Sequence, residues 1–281
     1  MPDWDDARVM AASKRVRLNV DPRRRRIGSG ARLGAGAGSS LEFHDHRSYT
    51  AGDDLRHLDW SVFARTDQLM LRRHRQEVSP RVEVVLDLSQ SMAITPGKLT
   101  LATTIAAFIA TLAEADGVRP IIWLATTHFQ RLQNPWRPAL RAANAHGAHG
   151  LGAIPAPPFA VGSERILISD GLCPQGGQAI IHALGSGAGR IACVQVLTAE
   201  ERAPTAIGAV RLEDVEGGAG DLMLDTEVCT AYRERLARHL AGWQAALAGR
   251  GAGLLSCTAE DGFDAALHCL LSNGLIDPRA G

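Results

Sequence analysis

Lysine is almost missing from this chain. Of its 30 basic side chains only Lys14 and Lys98 are lysines, and the arginine bias, set among abundant alanine and glycine, reads as the codon usage of a GC-rich genome. Aromatic residues are scarce at 5%, and the formal net charge is +0. Together these weaken any nucleic-acid role, which calls for a basic surface interleaved with stacking rings. The five cysteines, Cys173, Cys193, Cys229, Cys257 and Cys269, are odd in number and form no C-x-x-C pair. That excludes a disulfide scaffold and fits reduced, mostly buried thiols in a cytoplasm. No apolar run approaches the ~18 residues of a membrane span, and Trp4-Asp5-Asp6 and Lys14-Arg15 break up the only stretch where a signal peptide would lie. Catalytic signatures are missing as well. There is no G-x-S-x-G elbow, and Pro96-Gly97-Lys98-Leu99 is too short to be a phosphate-binding loop. No nucleophile–base pair stands out, so the chain reads as a non-enzyme.

What is present is an ordinary globular composition. The 281 residues are 46% hydrophobic and 21% charged, enough for one large domain, or a core plus an appendage, without staples. Residues 1–80 hold 15 of the 30 basic and 11 of the 30 acidic side chains, a surplus of four positive charges that the remainder offsets. Its densest point, Arg23-Arg24-Arg25-Arg26, leads into the Gly-rich stretch GSGARLGAGAGSS. Residues 1–40 therefore read as a flexible basic segment, with a short helix between Asp5 and Arg17. The four-arginine run reads as a solvated arm, with contact to an anionic membrane or partner left open.

From residue 81 the pattern is regular. Arg81–Leu88, Ile121–Ala125, Arg165–Ser169, Ile191–Leu197 and Leu254–Cys257 are short apolar runs that read as buried strands. Between them lie helical patterns over Leu99–Ala115, Pro138–Ala145 and Gln178–Leu184, a long amphipathic one marked by Val228, Tyr232, Leu236, Leu240, Trp243 and Leu247, and a last one over Phe263–Leu271. His128–Leu132 alternates like an antiparallel edge strand, and Val210-Arg211-Leu212 faces Leu222-Met223-Leu224 as a hairpin. Strands alternating with helices predict an α/β fold with a doubly wound, mostly parallel sheet and flanking helices over residues 81–281, preceded by an irregular N-terminal segment.

Two strand ends carry oxygen-rich motifs. The first strand runs into Asp87-Leu88-Ser89-Gln90-Ser91, and a later one ends in Ser169-Asp170-Gly171. Ligands of open parallel sheets bind at the carboxyl ends of strands. A carboxylate followed by hydroxyls two and four residues on presents the hard oxygens that Mg²⁺ takes. This arrangement resembles the D-x-S-x-S metal-ion-dependent adhesion site of von Willebrand factor A domains. The resemblance implies an A-type fold in which Asp87, Ser89 and Ser91 hold Mg²⁺, or Mn²⁺, with Asp170 in an outer shell. The threonine usual before the fourth strand has no counterpart, because residues 129–162 contain neither Thr nor Ser. A water or Asn144 would have to take its place, or the site would be metal-free.

A longer pattern lies upstream, in residues 41–80: Arg47-Ser48-Tyr49-Thr50-Ala51-Gly52-Asp53-Asp54-Leu55-Arg56-His57-Leu58-Asp59-Trp60, then Ala64-Arg65 and Leu69–Arg72. It resembles the R-x-Y-x-x-G-D-D-x-R-x-I-D-W signature of the bacterial domain-of-unknown-function family fifty-eight. The resemblance implies an interaction module or adaptor that works with a MoxR-type AAA+ ATPase on an unidentified client, in complex assembly or in protein or metal-cofactor maturation. Read physically, Asp53, Asp54, Asp59 and Asp67 interleave with Arg47, Arg56, Arg65 and Arg72, a spacing that suits Arg–carboxylate pairs. Gly52 would supply a turn and Trp60 an apolar anchor. A structural clasp packed on the core is the favoured reading, and a docking surface is its functional counterpart. His44 and His46 share a strand face, and His146 and His149 sit in a loop, but no further ligand accompanies either pair, so they read as solvated. Two rivals stand beside the adaptor: a metal-dependent phosphoester hydrolase built on Asp87 and Asp170, and a metal-free scaffold.

Overall fold

The computed structural model describes residues 3–19, 42–50, 53, 58–75, 81–147, 151–205, 207–213 and 219–279; for 42–47, 72–75, 211–213, 219 and 222 it describes the backbone alone. The chain divides into two compact units, Asp21–Ser79 and the combination of Met1–Val20 with Pro80–Gly281. The division inside residues 1–40 thus falls at Val20. The stretch Arg23–Ser40 lies outside the described residues.

In chain order the elements are α1 (Asp6–Arg15), β1 (Val16–Leu18), β2 (Glu42–Ser48), α2 (Trp60–Thr66), β3 (Met70–Arg75), β4 (Val82–Asp87) and α3 (Pro96–Ala115). There follow β5 (Ile121–Ala125), β6 (Phe129–Arg131), α4 (Trp136–Arg141), β7 (Glu164–Ser169), α5 (Gly176–Gly185) and β8 (Arg190–Leu197). The last are α6 (Ala199–Arg202), β9 (Gly208–Glu213), β10 (Ala219–Leu224), α7 (Thr226–Ala248), β11 (Leu254–Thr258), α8 (Gly262–Ser272) and β12 (Ile276–Pro278).

The larger unit is a mixed α/β fold around a six-stranded sheet of order β11-β8-β7-β4-β5-β6, parallel except for β6, which runs antiparallel to β5. Side chains of a strand alternate between faces, and the burial follows this rule. Val82, Val84 and Leu86 of β4 join one core with Ile105, Phe108, Ile109 and Phe263, while Val85 joins a second with Ile180, Ile181, Trp243 and Leu247. Helices therefore cover both faces, as the alternation of strands and helices predicts. The expected β9–β10 hairpin is present, with Val210 opposite Leu222 and Leu212 opposite Gly220.

The central helix α3 starts on a Thr95 cap with Pro96 in its first turn, and ends where Gly117 takes a φ of 72°. It is long and apolar enough to cross a membrane, which no sequence run suggested, yet 78% of that window is buried inside the fold. Two three-residue strands escaped the sequence reading: β1 pairs antiparallel with β12, Val16 opposite Pro278. Neither is long enough to show a period, and their partnership spans nearly the whole chain.

In the smaller unit, β2 and β3 form an antiparallel pair with an irregularity between Phe43 and Asp45. Asp59 caps α2 by accepting from the Ser61 and Val62 amides, and Asp67 ends it with a φ of 54°. Leu58 and Leu71, bridged to each other, are buried.

Candidate functional site

The sheet order sets the site. From β4 the chain moves to β5 and β6 on one side, then returns to β7, β8 and β11 on the other. The switch point between β4 and β7 lies at their carboxyl ends, where the general rule for open α/β sheets places a ligand crevice. Asp87 ends β4 and Asp170 follows β7, and both are buried. The two motifs thus meet across adjacent strands.

Asp87 Oδ1 accepts from the Ser89 amide at 2.9 Å and Oδ2 from Ser169 Oγ at 2.6 Å. Ser89 Oγ and Ser91 Oγ lie 3.0 Å apart. Ser89 is held by a parallel bridge to Gly147, and Gly147 closes so tightly on Thr126 and the Leu88 carbonyl that a Cβ there would sit 3.0 Å from the Thr126 backbone. Asn144 is exposed, and its carbonyl lies 2.8 Å from His146 Nδ1. Burial, and then the negative charge of Asp170, push the Asp87 carboxyl up to about 6, against the pull of its Ser169 and Ser89 bonds. The same burial, reinforced by the two aspartates, pushes the Cys173 thiol up to about 12, so Cys173 is no nucleophile.

The crevice holds two charged residues that the motif reading passed over. Lys98, in the first turn of α3, is 0% exposed. Its Nζ donates to Asp170 Oδ2 at 3.0 Å, Glu201 Oε1 at 2.6 Å and the Ser91 carbonyl at 3.0 Å. Three N–H donors meet three acceptors, so the ammonium is saturated. Asp170 Oδ1 accepts from the Leu172 amide at 3.0 Å, so both its oxygens are engaged. Glu201 is fixed in turn: it completes a capping box with Thr198 at the start of α6, and its carbonyl accepts from Tyr232 Oη at 2.6 Å. Both residues had signals. Lys98 falls in register with Leu101, Ala102 and Ile105, the buried face of an apolar helix, and Thr198-x-x-Glu201 is a capping-box string.

Three carboxylates thus face one ammonium. Lys98 serves Asp170 and Glu201, and no cation lies within ion-pair distance of Asp87 among the described residues. Asp87, Ser89 and Ser91 are the residues that could hold a metal ion. Octahedral Mg²⁺ with bonds of about 2.1 Å places adjacent oxygens about 3 Å apart, and the two hydroxyls have that spacing. The donors are all hard oxygens, and Asp87 supplies the uncompensated charge.

The signature segment is only partly visible. Gly52, Asp54 and Arg56 lie outside the described residues, as do His57, His149 and the side chains of Arg47, His44 and His46. Tyr49 donates its amide to the Leu69 carbonyl, tying the segment to β3. Asp53 accepts from the Thr50 amide and hydroxyl, closing a turn, and Asp59 is the α2 cap. Arg65 donates from Nε to the Ser61 carbonyl of its own helix. Trp60 departs from its expected role as an anchor. It is 62% exposed and edge-on to Phe63.

Residues 45–146 match the family model described as Protein of unknown function DUF58. That span takes in the signature, Asp87, Ser89, Ser91 and Lys98, and stops before Asp170 and Glu201. An uncharacterized protein of Mycobacterium bovis is 26% identical, over 92% of this chain and 87% of its own length. Uncharacterized proteins of two Mycobacterium tuberculosis strains match to the same extent.

Proposed function

We propose that this chain is a non-enzymatic interaction module with a von Willebrand factor A-like domain, and that its contact point is the switch-point crevice. The observation that carries the reading is the buried Asp87 carboxylate, with no ion-pair partner among the described residues, beside two hydroxyls 3.0 Å apart. Asp87, Ser89 and Ser91 would hold Mg²⁺ directly, and the ion would supply an open position for a carboxylate of the partner. Asp170 stays in an outer shell, because Lys98 already engages it. The likeness of the upstream signature to the DUF58 pattern supports a MoxR-type AAA+ ATPase as the partner, in complex assembly or protein maturation.

The saturated Lys98 favours a second reading, a metal-free scaffold. Its ammonium is bonded to the Ser91 carbonyl and so stands next to one of the hydroxyls the ion would need, and like charges at that range repel. Capture of a purified MoxR-type ATPase on the immobilised full chain separates the two. The interaction module predicts capture in Mg²⁺ that is lost in chelator and in Asp87→Ala. Undiminished capture by Asp87→Ala favours the scaffold, and no capture under any condition contradicts the partner assignment.

A further inference from the structure

Lys98 is bonded to both motifs of the site. Its Nζ donates to the carbonyl of Ser91, the residue whose hydroxyl lies 3.0 Å from Ser89 Oγ. It also donates to Asp170 Oδ2 at 3.0 Å, and Asp170 follows Ser169, whose hydroxyl donates to Asp87 Oδ2 at 2.6 Å. A positive charge thus stands beside the oxygens that would hold an ion without being one of them.

That charge is fixed in place. Lys98 is 0% exposed. Glu201, its partner at 2.6 Å, is tied at both ends: Oε2 accepts from the Thr198 amide at 2.8 Å, and the carbonyl from Tyr232 Oη at 2.6 Å. A second path joins α6 to Asp170. Arg202 Nη2 donates to Ser256 Oγ at 2.6 Å, Ser256 Oγ to Gln195 Oε1 at 2.7 Å, and Gln195 Nε2 to the Asp170 carbonyl at 2.8 Å. The two paths from Asp170 to α6 close a ring that includes Lys98. A charge held this way acts on a neighbouring ion through its field. Asp87, Asp170 and Glu201 set against Lys98 leave a surplus of two negative charges, which one divalent ion neutralises.

We propose that Lys98 sets the metal affinity of this site: a resident cation, not a ligand, whose charge offsets one carboxylate and holds divalent-ion binding below what Asp87, Ser89 and Ser91 reach without it. This role presupposes that the site takes a metal ion, as proposed above. Removing the ammonium leaves three carboxylates uncompensated and draws a divalent ion in more strongly. Removing the Glu201 charge does the reverse, although Glu201 is no part of the ligand set.

The test titrates Mg²⁺ by calorimetry at pH 7.5 into four full-length forms: wild type, Lys98→Met, Glu201→Gln and the double variant. Circular dichroism and urea midpoints establish that each is folded. Lys98→Met should bind Mg²⁺ about tenfold or more tightly than the wild type, and Glu201→Gln about tenfold more weakly. The double variant carries the wild-type charge and should return to within about threefold of wild-type affinity. It removes both members of a buried ion pair, which costs less than stranding one. Should Lys98→Met fail to fold, a double variant that binds about tenfold more tightly than Glu201→Gln carries the same prediction. Weaker binding in all three variants marks Lys98 as a structural prop and overturns the proposal. Equal binding by Lys98→Met and wild type overturns it too, yet leaves the metal reading in place. Binding by Lys98→Met but not by the wild type supports the proposal and contradicts the metal reading of the native chain. No binding by any form overturns both.

Discussion

The same two strands carry buried charge at both ends, and the two ends are built differently. At the amino end, Glu83 of β4 stands opposite Arg165 of β7. Glu83 takes Ser163 Oγ at 2.6 Å and the Arg165 guanidinium at 3.4 Å. Arg165 donates also to the carbonyls of Leu184, Ser186 and Ala160, and its guanidinium lies over the Phe159 ring, 4.4 Å from the centroid. One negative charge meets one positive, and the donors are consumed. At the carboxyl end, Lys98 engages Asp170 and Glu201, and Asp87 has no ion-pair partner among the described residues. A balanced buried pair holds a fold together without asking for a ligand. An unbalanced one retains an unmet demand, and here it lies at the switch point of the sheet.

The largest effect should come from unbalancing the amino end. Arg165→Met strands Glu83 and three carbonyls, and should cost about 3–5 kcal/mol in urea unfolding. A loss under 1 kcal/mol would mean that the pair is no more structural than a surface contact. At the carboxyl end the sign reverses. The Asp87 carboxyl is held at about 6 in the folded chain against an ordinary value of 3.8. The folded state therefore keeps its proton where the unfolded state has lost it. The associated stability is present below about pH 4 and is lost as pH rises through about 6, by on the order of 2–3 kcal/mol. Asp87→Asn should remove this decline, so that in metal-free buffer the variant gains on the wild type between pH 5 and 7.5. Parallel stability curves for the two proteins would refute the charge accounting. The smallest effect on stability is expected from Ser89→Ala, which removes one hydroxyl contact worth about 1 kcal/mol but should abolish Mg²⁺ binding. Retained Mg²⁺ affinity would take Ser89 out of the site.

Much of this was legible in the sequence because its signals are local. The strand runs ending in Asp87 and Asp170 are short and apolar, and the helices between them are periodic, so both motifs could be set at strand ends before any coordinates. Pairing across the chain is not local: nothing in Val16–Leu18 points to Ile276–Pro278. The balance of the site was missed for a different reason. Lys98 is one of only two lysines in an arginine-rich chain, and its significance lies in its place on the buried face of α3, which the packing reveals. Glu83 and Arg165 were read as members of strands, and their opposite charges in adjacent strands became informative only once the register paired them. Trp60 suggests an anchor by its chemistry, yet its ring is exposed at the start of α2.

The central claim is that Asp87, without an ion-pair partner among the described residues, takes a metal ion. Calorimetric titration of Mg²⁺, and then Mn²⁺, into the full chain at pH 7.5 tests it most directly. The account predicts one binding site in the wild type and none in Asp87→Ala. Equal binding by both proteins, or no binding of either ion to the wild type, would contradict it.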